Sequence, residues 1–165
     1  PDLYLAVLLS LTTGGRQSEV MGLRWGQIDL KTGRATLYAG TTKNNDARVL
    51  PLVGEAFTLL QERAKVRSLT DDRIFPATAK AKKISFITLR TPFLAAMKEA
   101  DIKDFHWHDL RHTCASYLMM NGVSALEISK VLGHKTMAMV SRYSHLAPDR
   151  VSDIGNALAQ KMGVA

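Results

Sequence analysis

A mostly α fold with one small antiparallel sheet is what the sequence predicts, and three observations carry that expectation. Apolar residues recur at helical spacing, as in Leu3, Val7, Leu8 and Leu11. Two strand-compatible runs, 34–38 and 48–52, flank a polar stretch, 41–46, that holds the turn residues Asn44, Asn45 and Asp46. Glycines at 14, 15, 122 and 133 stand where helices would stop. No fixed-period repeat or Gly/Ser/Pro linker divides the 165 residues, so they read as a single domain with one sizeable core.

Taken in order, residues 3–11 predict a core helix, ended by Gly14 and Gly15, and 16–22 a short second helix that opens at Arg16. The hairpin 34–52 carries Lys43 near its tip. Helices then follow over 55–66, 85–100, 107–121, 125–132, 136–143 and 149–162. Pro92 kinks the second of these if it is interior and starts the helix if it lies in the first turn. The tail, 148–165, spaces Val151, Ile154, Leu158 and Met162 as one apolar stripe, which packs either on its own domain or on a partner. Position 1 is not Met and a helix begins at once, which predicts a fragment of a longer chain.

With 22 Lys and Arg against 15 Asp and Glu, the formal charge is +7, which favours an anionic partner, nucleic acid first, over a merely solvated basic face. The lone Cys114 excludes an internal disulfide and sits in an apolar stretch, so a packing role in a reduced, cytoplasmic interior is expected. The apolar start is too short to span a membrane, and no membrane partner is expected. Trp25 and Trp107 read as core or rim residues.

Two segments carry chemistry: HDLRHTCASYLMMNG from His108, and VLGHKTMAMVSRYSHL from Val131. His108 and Arg111, three apart, share a helix face, which sets an imidazole beside a cation whose planar fork suits phosphate. Tyr143 follows His134 by nine residues, and a short helix between them would turn the phenol back towards the imidazole. His106, His108 and His112 are close enough to raise a zinc site. That reading is disfavoured because no Cys or carboxylate partner completes it and Arg111 is a poor neighbour for a cation.

These segments, with TTGGRQSEVMGLRW near the start and the hairpin TTKNNDARVLPL, resemble the tyrosine recombinases, the family of phage integrases and related site-specific DNA recombinases. The resemblance runs from about Leu3 to Leu146, with the motifs in the family's order. It implies a recombinase catalytic domain that follows an upstream DNA-binding domain. It also implies that double-stranded DNA is cut and rejoined without metal or other cofactor, through a 3′-phosphotyrosine. The implied nucleophile is Tyr143. Arg16 and Arg111 would clamp the non-bridging phosphate oxygens, and His108 and His134 would hydrogen-bond them, with His108 also a candidate to accept the tyrosine proton. Lys43 would protonate the leaving 5′-oxygen, and Glu19 would orient Arg16 or His108.

The resemblance further implies self-association on DNA as a four-protomer assembly, with the tail helix docking in trans, and a bacterial or phage protein acting at the nucleoid. Gly15 departs from the family's usual apolar residue before the first arginine, which would loosen the helix start. Two other readings stay open: a type IB topoisomerase with the same chemistry, and a non-enzymatic DNA-binding module. The filled catalytic positions and the segment from Leu132 to Leu146 favour the recombinase.

Overall fold

The structure, a computed structural model, describes residues 2–39, 47–76, 89–134 and 136–164. Helix α1, Asp2–Thr13, buries Leu5, Ala6 and Leu9, and also Ser10 and Thr13, whose polarity is absorbed locally. Thr13 Oγ1 donates to the Leu9 carbonyl at 2.6 Å, and Ser10 Oγ accepts from Trp107 Nε1 at 3.1 Å. Gly14, at φ +62°, ends the helix, and a Cβ there would lie 2.2 Å from Leu132 Cδ2, so only glycine fits. Helix α2, Gln17–Met21, follows with Arg16 as its N-cap. Gly15 is also forced by packing, since a Cβ would meet Val20 Cγ2 at 2.8 Å and Thr13 Oγ1 at 3.0 Å. The turn that aims Arg16 is tight rather than loosened.

The sheet has three antiparallel strands in the order β1 (Ile28–Asp29), β2 (Arg34–Leu37) and β3 (Arg48–Pro51). The sequence reading anticipates β2 and β3 but not β1, which is too short to show alternation. Asp29 builds the first turn by accepting from the Lys31 amide at 2.8 Å and the Thr32 hydroxyl at 2.7 Å. In the second pair Leu37 faces Arg48 and Ala35 faces Leu50. Arg48 and Leu50, two apart, point to the same interior face. The hairpin tip, Lys43 included, lies outside the described residues.

Helix α3, Gly54–Lys65, buries Ala56 and Leu60 against α1. Of the helix expected over 85–100, the described part is α4, Arg90–Glu99, with Pro92 in its first turn, where its missing N–H costs nothing. Phe93 of α4 packs on Trp107 with ring centroids 5.0 Å apart. Trp25 and Trp107 are both buried. Helix α5, Trp107–Met120, packs on α1 and is followed by α6, Ala125–Leu132, which opens with Ser124 and Glu127 as a reciprocal cap and ends at Gly133, φ +65°. The helix expected over 136–143 is one turn, α7, Ala138–Ser141, and Tyr143 lies beyond it, before a 3-10 turn at Ser144–Leu146.

Two apolar clusters result. The larger joins α1, α2, the sheet, α3, α4 and the start of α5. The smaller holds Cys114, Ala115 and Met119 of α5 with Ile128, Leu132, Val140 and Tyr143. Helix α8, Val151–Met162, belongs to neither, and Val151, Ile154, Leu158 and Met162 are all exposed. Within one chain the tail stripe therefore does not pack on its own domain. Among the described residues no helix is long and apolar enough to cross a membrane.

Candidate active site

Arg16, Glu19, Arg48, Arg111, His134 and Tyr143 gather where the two clusters meet. Glu19, on α2, is the hub. Its carboxylate accepts from the Arg16 amide at 2.7 Å and Arg16 Nη1 at 2.9 Å, and from Arg48 Nη1 at 3.1 Å and Nη2 at 2.6 Å. The Glu19 side chain is 2% exposed and that of Arg48 7%. Burial raises the Glu19 pKa, but the hydrogen bonds from Arg48 and Arg16 outweigh it and hold the carboxyl below its ordinary value. Of the two partners the sequence offers for Glu19, Arg16 and His108, its hydrogen bonds go to Arg16, and they extend to the hairpin through Arg48, which the sequence does not single out. The signal was present: Arg48 alternates with the core residue Leu50.

Arg111 lies deeper than its helix position alone indicates. The shared face with His108 does not reveal its burial: Arg111 is 3% exposed, with Nη1 donating to the Gly14 carbonyl and Nη2 to the Leu132 carbonyl, both at 2.6 Å. Burial, then Arg16 and Arg48, pull its pKa down to about 10, which still leaves a cation at neutral pH. His108 stands one turn earlier with much of its surface open to solvent, its pKa lowered by the partial burial of its ring, then by His112 and Arg111.

His134 follows Gly133, whose lack of a side chain lets Arg48 approach, since a Cβ would lie 2.7 Å from Arg48 Nη1. The His134 amide donates to the Ser129 carbonyl at 2.9 Å, while its Nδ1 is buried without a hydrogen-bond partner among the described residues. Burial, then Arg111, Arg16, Arg142 and Arg48, bring its pKa down to about 4, so the ring is neutral at pH 7. Arg48 Nε is likewise buried without a partner among the described residues. The unpaired Arg48 N–H amid these cations suits a cradle for an oxyanion.

Tyr143 is 7% exposed, with its amide donating to the Val140 carbonyl at 2.9 Å. Burial raises its pKa above the ordinary phenol value, and Arg142 and Arg111 oppose that. Its hydroxyl is hydrogen-bonded to His112 Nδ1, a residue the sequence reading weighed only as a metal ligand. The constellation therefore sets one phenol near Arg111 and Arg142, and Arg111 in turn near Arg16, Arg48 and the Glu19 carboxylate, an arrangement suited to nucleophilic attack on a phosphate ester.

A model of the phage integrase family matches residues 2–150. The chain belongs to the phage integrase family. Among its relatives, the integrase of Salmonella phage P22 is 32% identical over 158 residues, covering 89% of this chain and 40% of that protein. The catalytic domain of bacteriophage HP1 integrase superposes with a TM-score of 0.72 at 28% identity, over 100% of this chain and 86% of that one. The Tn1549 transposon integrase in complex with a circular intermediate DNA shares the fold, with a TM-score of 0.70 at 19% identity, over 97% of this chain and 58% of that one. This chain spans about 40% of the length of the curated relatives it matches.

Proposed function

We propose that the chain is the catalytic domain of a site-specific DNA recombinase or integrase that cleaves and rejoins strands of double-stranded DNA. The observation that carries this reading is the buried Tyr143 hydroxyl beside a cluster of arginines whose balancing carboxylate is Glu19. Tyr143 attacks the scissile phosphate, leaving a 3′-phosphotyrosine and a free 5′-hydroxyl. Arg16 and Arg111 hold the non-bridging oxygens as charge builds on the five-coordinate transition state, Arg111 through the N–H groups that its two carbonyl bonds leave over, and His134 and His108 donate hydrogen bonds to them. Lys43 protonates the departing 5′-oxygen. Since every charge assigned to the phosphate belongs to a side chain, no step calls for a divalent metal.

The exposed stripe of α8 supports docking onto a neighbouring protomer. Exchange between two duplexes needs four strand cuts, hence four protomers, on DNA in the cytoplasm of a bacterial host. A pool of nicked duplexes with randomised centres, incubated with the protein in excess chelator, tests the reading whatever the target site is. The account expects a denaturant-resistant protein–DNA adduct in the wild type and none with Tyr143→Phe, which keeps the ring and loses only the oxygen. DNA binding without any adduct would make the chain a DNA-binding module. An adduct that needs magnesium would move it to another nuclease class.

A further inference from the structure

We propose that His112 is a catalytic residue that takes the proton from the Tyr143 hydroxyl as that oxygen attacks phosphorus. This rests on the reading of Tyr143 as the nucleophile. His112 Nδ1 is hydrogen-bonded to the Tyr143 hydroxyl, with the two rings 6.0 Å apart at 46°. Tyr143 is held by packing, and half-buried His112 by its helix and by the His108 ring. His112 sits on α5 between the buried Arg111 and Thr113–Cys114, and the Tyr143 ring is a member of the smaller apolar cluster. The contact is set by the meeting of two packed elements rather than by two free surface side chains.

The chemistry of both groups agrees with this direction of transfer. Burial keeps the Tyr143 phenol protonated well past neutrality, so attack requires an acceptor at its oxygen. Burial, then Arg142, lower the His112 pKa, Asp109 partly offsets them and Arg111 adds to them, so the ring is neutral at pH 7. As the Nε2–H tautomer it presents the Nδ1 lone pair to the hydroxyl. His108 packs edge-on against His112, 4.8 Å between ring centroids, and so touches the acceptor's ring. In the forward step the O–H bond of Tyr143 breaks with its proton passing to Nδ1. The phenolic oxygen then bonds to phosphorus, and the P–O5′ bond breaks with its electron pair going to the 5′-oxygen, protonated by a separate acid. Religation reverses each transfer, and the imidazolium returns the proton to the leaving phenolate.

The test uses a nicked duplex recovered from the randomised pool, with adduct formation timed for the wild type, His112→Ala and His112→Gln. The proposal expects both variants to bind this duplex nearly as the wild type does and to form adduct about 100-fold more slowly or worse, the scale of a lost general base. Free imidazole should restore much of the rate in His112→Ala, in proportion to its neutral form. Adduct formation by His112→Ala within a few-fold of wild type overturns the proposal, as does a slow variant that imidazole leaves unchanged. Nitrogen-15 NMR of the protein without DNA gives a second readout. Nδ1 of His112 should be an unprotonated acceptor whose resonance moves in Tyr143→Phe, and a protonated Nδ1 overturns the assignment. An adduct formed by Tyr143→Phe would instead remove the nucleophile on which the proposal rests.

Discussion

Arg16, Glu19 and Arg48 rest on the large apolar cluster of α1, α2 and the sheet, whereas Tyr143 and His134 rest on the small cluster around α6. In the first region each charge is held by more than one bond: Glu19 takes four hydrogen bonds from two arginines, and Arg16 is fixed by backbone and side chain alike. In the second, Tyr143 follows a single helical turn, and its hydroxyl bonds to His112. The difference matches the tasks proposed for the two regions. A cradle for transition-state charge works by being preorganised, whereas a nucleophile that becomes attached to DNA must travel with it. Arg111 joins the two, because its fork holds the Gly14 carbonyl of one and the Leu132 carbonyl of the other.

Breaking that joint should have the broadest effect, because it strikes stability and rate together. Arg111→Ala strands two carbonyls and removes a cradle cation, so we expect a stability loss of roughly 2–4 kcal/mol in urea unfolding. Adduct formation should fall on the order of a hundredfold, about 3 kcal/mol, beyond what the unfolded fraction explains. Unchanged stability would mean that the two regions are not linked through this side chain.

The next effect concerns Lys43, the proposed general acid. Lys43→Ala should slow cleavage of ordinary DNA by roughly 10²–10⁴-fold, as for a lost general acid, and nearly recover on a substrate with a 5′-bridging sulfur, whose thiolate leaves unaided. Arg111→Ala should stay slow on both substrates. Equal Lys43→Ala defects on the two would make Lys43 a phosphate-binding charge.

Much of this organisation is legible in the sequence, and the remainder is hidden for identifiable reasons. Helical spacing and glycine stops mark most helices, and Gly133 ends α6 as expected. β1 is hidden because two residues carry no period. Spacing places His108 and Arg111 on one face, but it does not show that the Arg111 fork is committed to two main-chain carbonyls. That depends on which helix ends converge on it. His112 escapes because a histidine beside two others suggests a metal, and only the return of the chain after α7 brings Tyr143 to it. Gly15 is legible as a departure, and its cause, the approach of Val20 and Thr13 within the turn between α1 and α2, shows only once that turn is built.

Acid should expose a smaller asymmetry. His134 binds its proton with a pKa near 4 in the fold against an ordinary 6.5, so the unfolded chain takes up more protons between those values, and stability falls as pH drops from about 6.5 to 4. Glu19, held below its ordinary 4.5, adds to the loss below that pH. Melting temperatures for His134→Gln should decline less over the upper part of this window, and a parallel decline would assign the acid sensitivity elsewhere.

The smallest effect on the isolated chain is expected at α8. Leu158→Asp should change stability by no more than about 0.5 kcal/mol, because the side chain is exposed, yet lower the order of the assembly formed on DNA, read by light scattering. Destabilisation of the monomer would show that α8 packs on its own domain after all.

The central claim, that Tyr143 attacks a phosphate held by the arginine cradle, is tested most directly by digesting the protein–DNA adduct and mapping the modified peptide by mass spectrometry. The account predicts a nucleotide joined through its 3′-phosphate to Tyr143, with a free 5′-hydroxyl on the released strand. Attachment at any other residue, or through a 5′-phosphate, would contradict it.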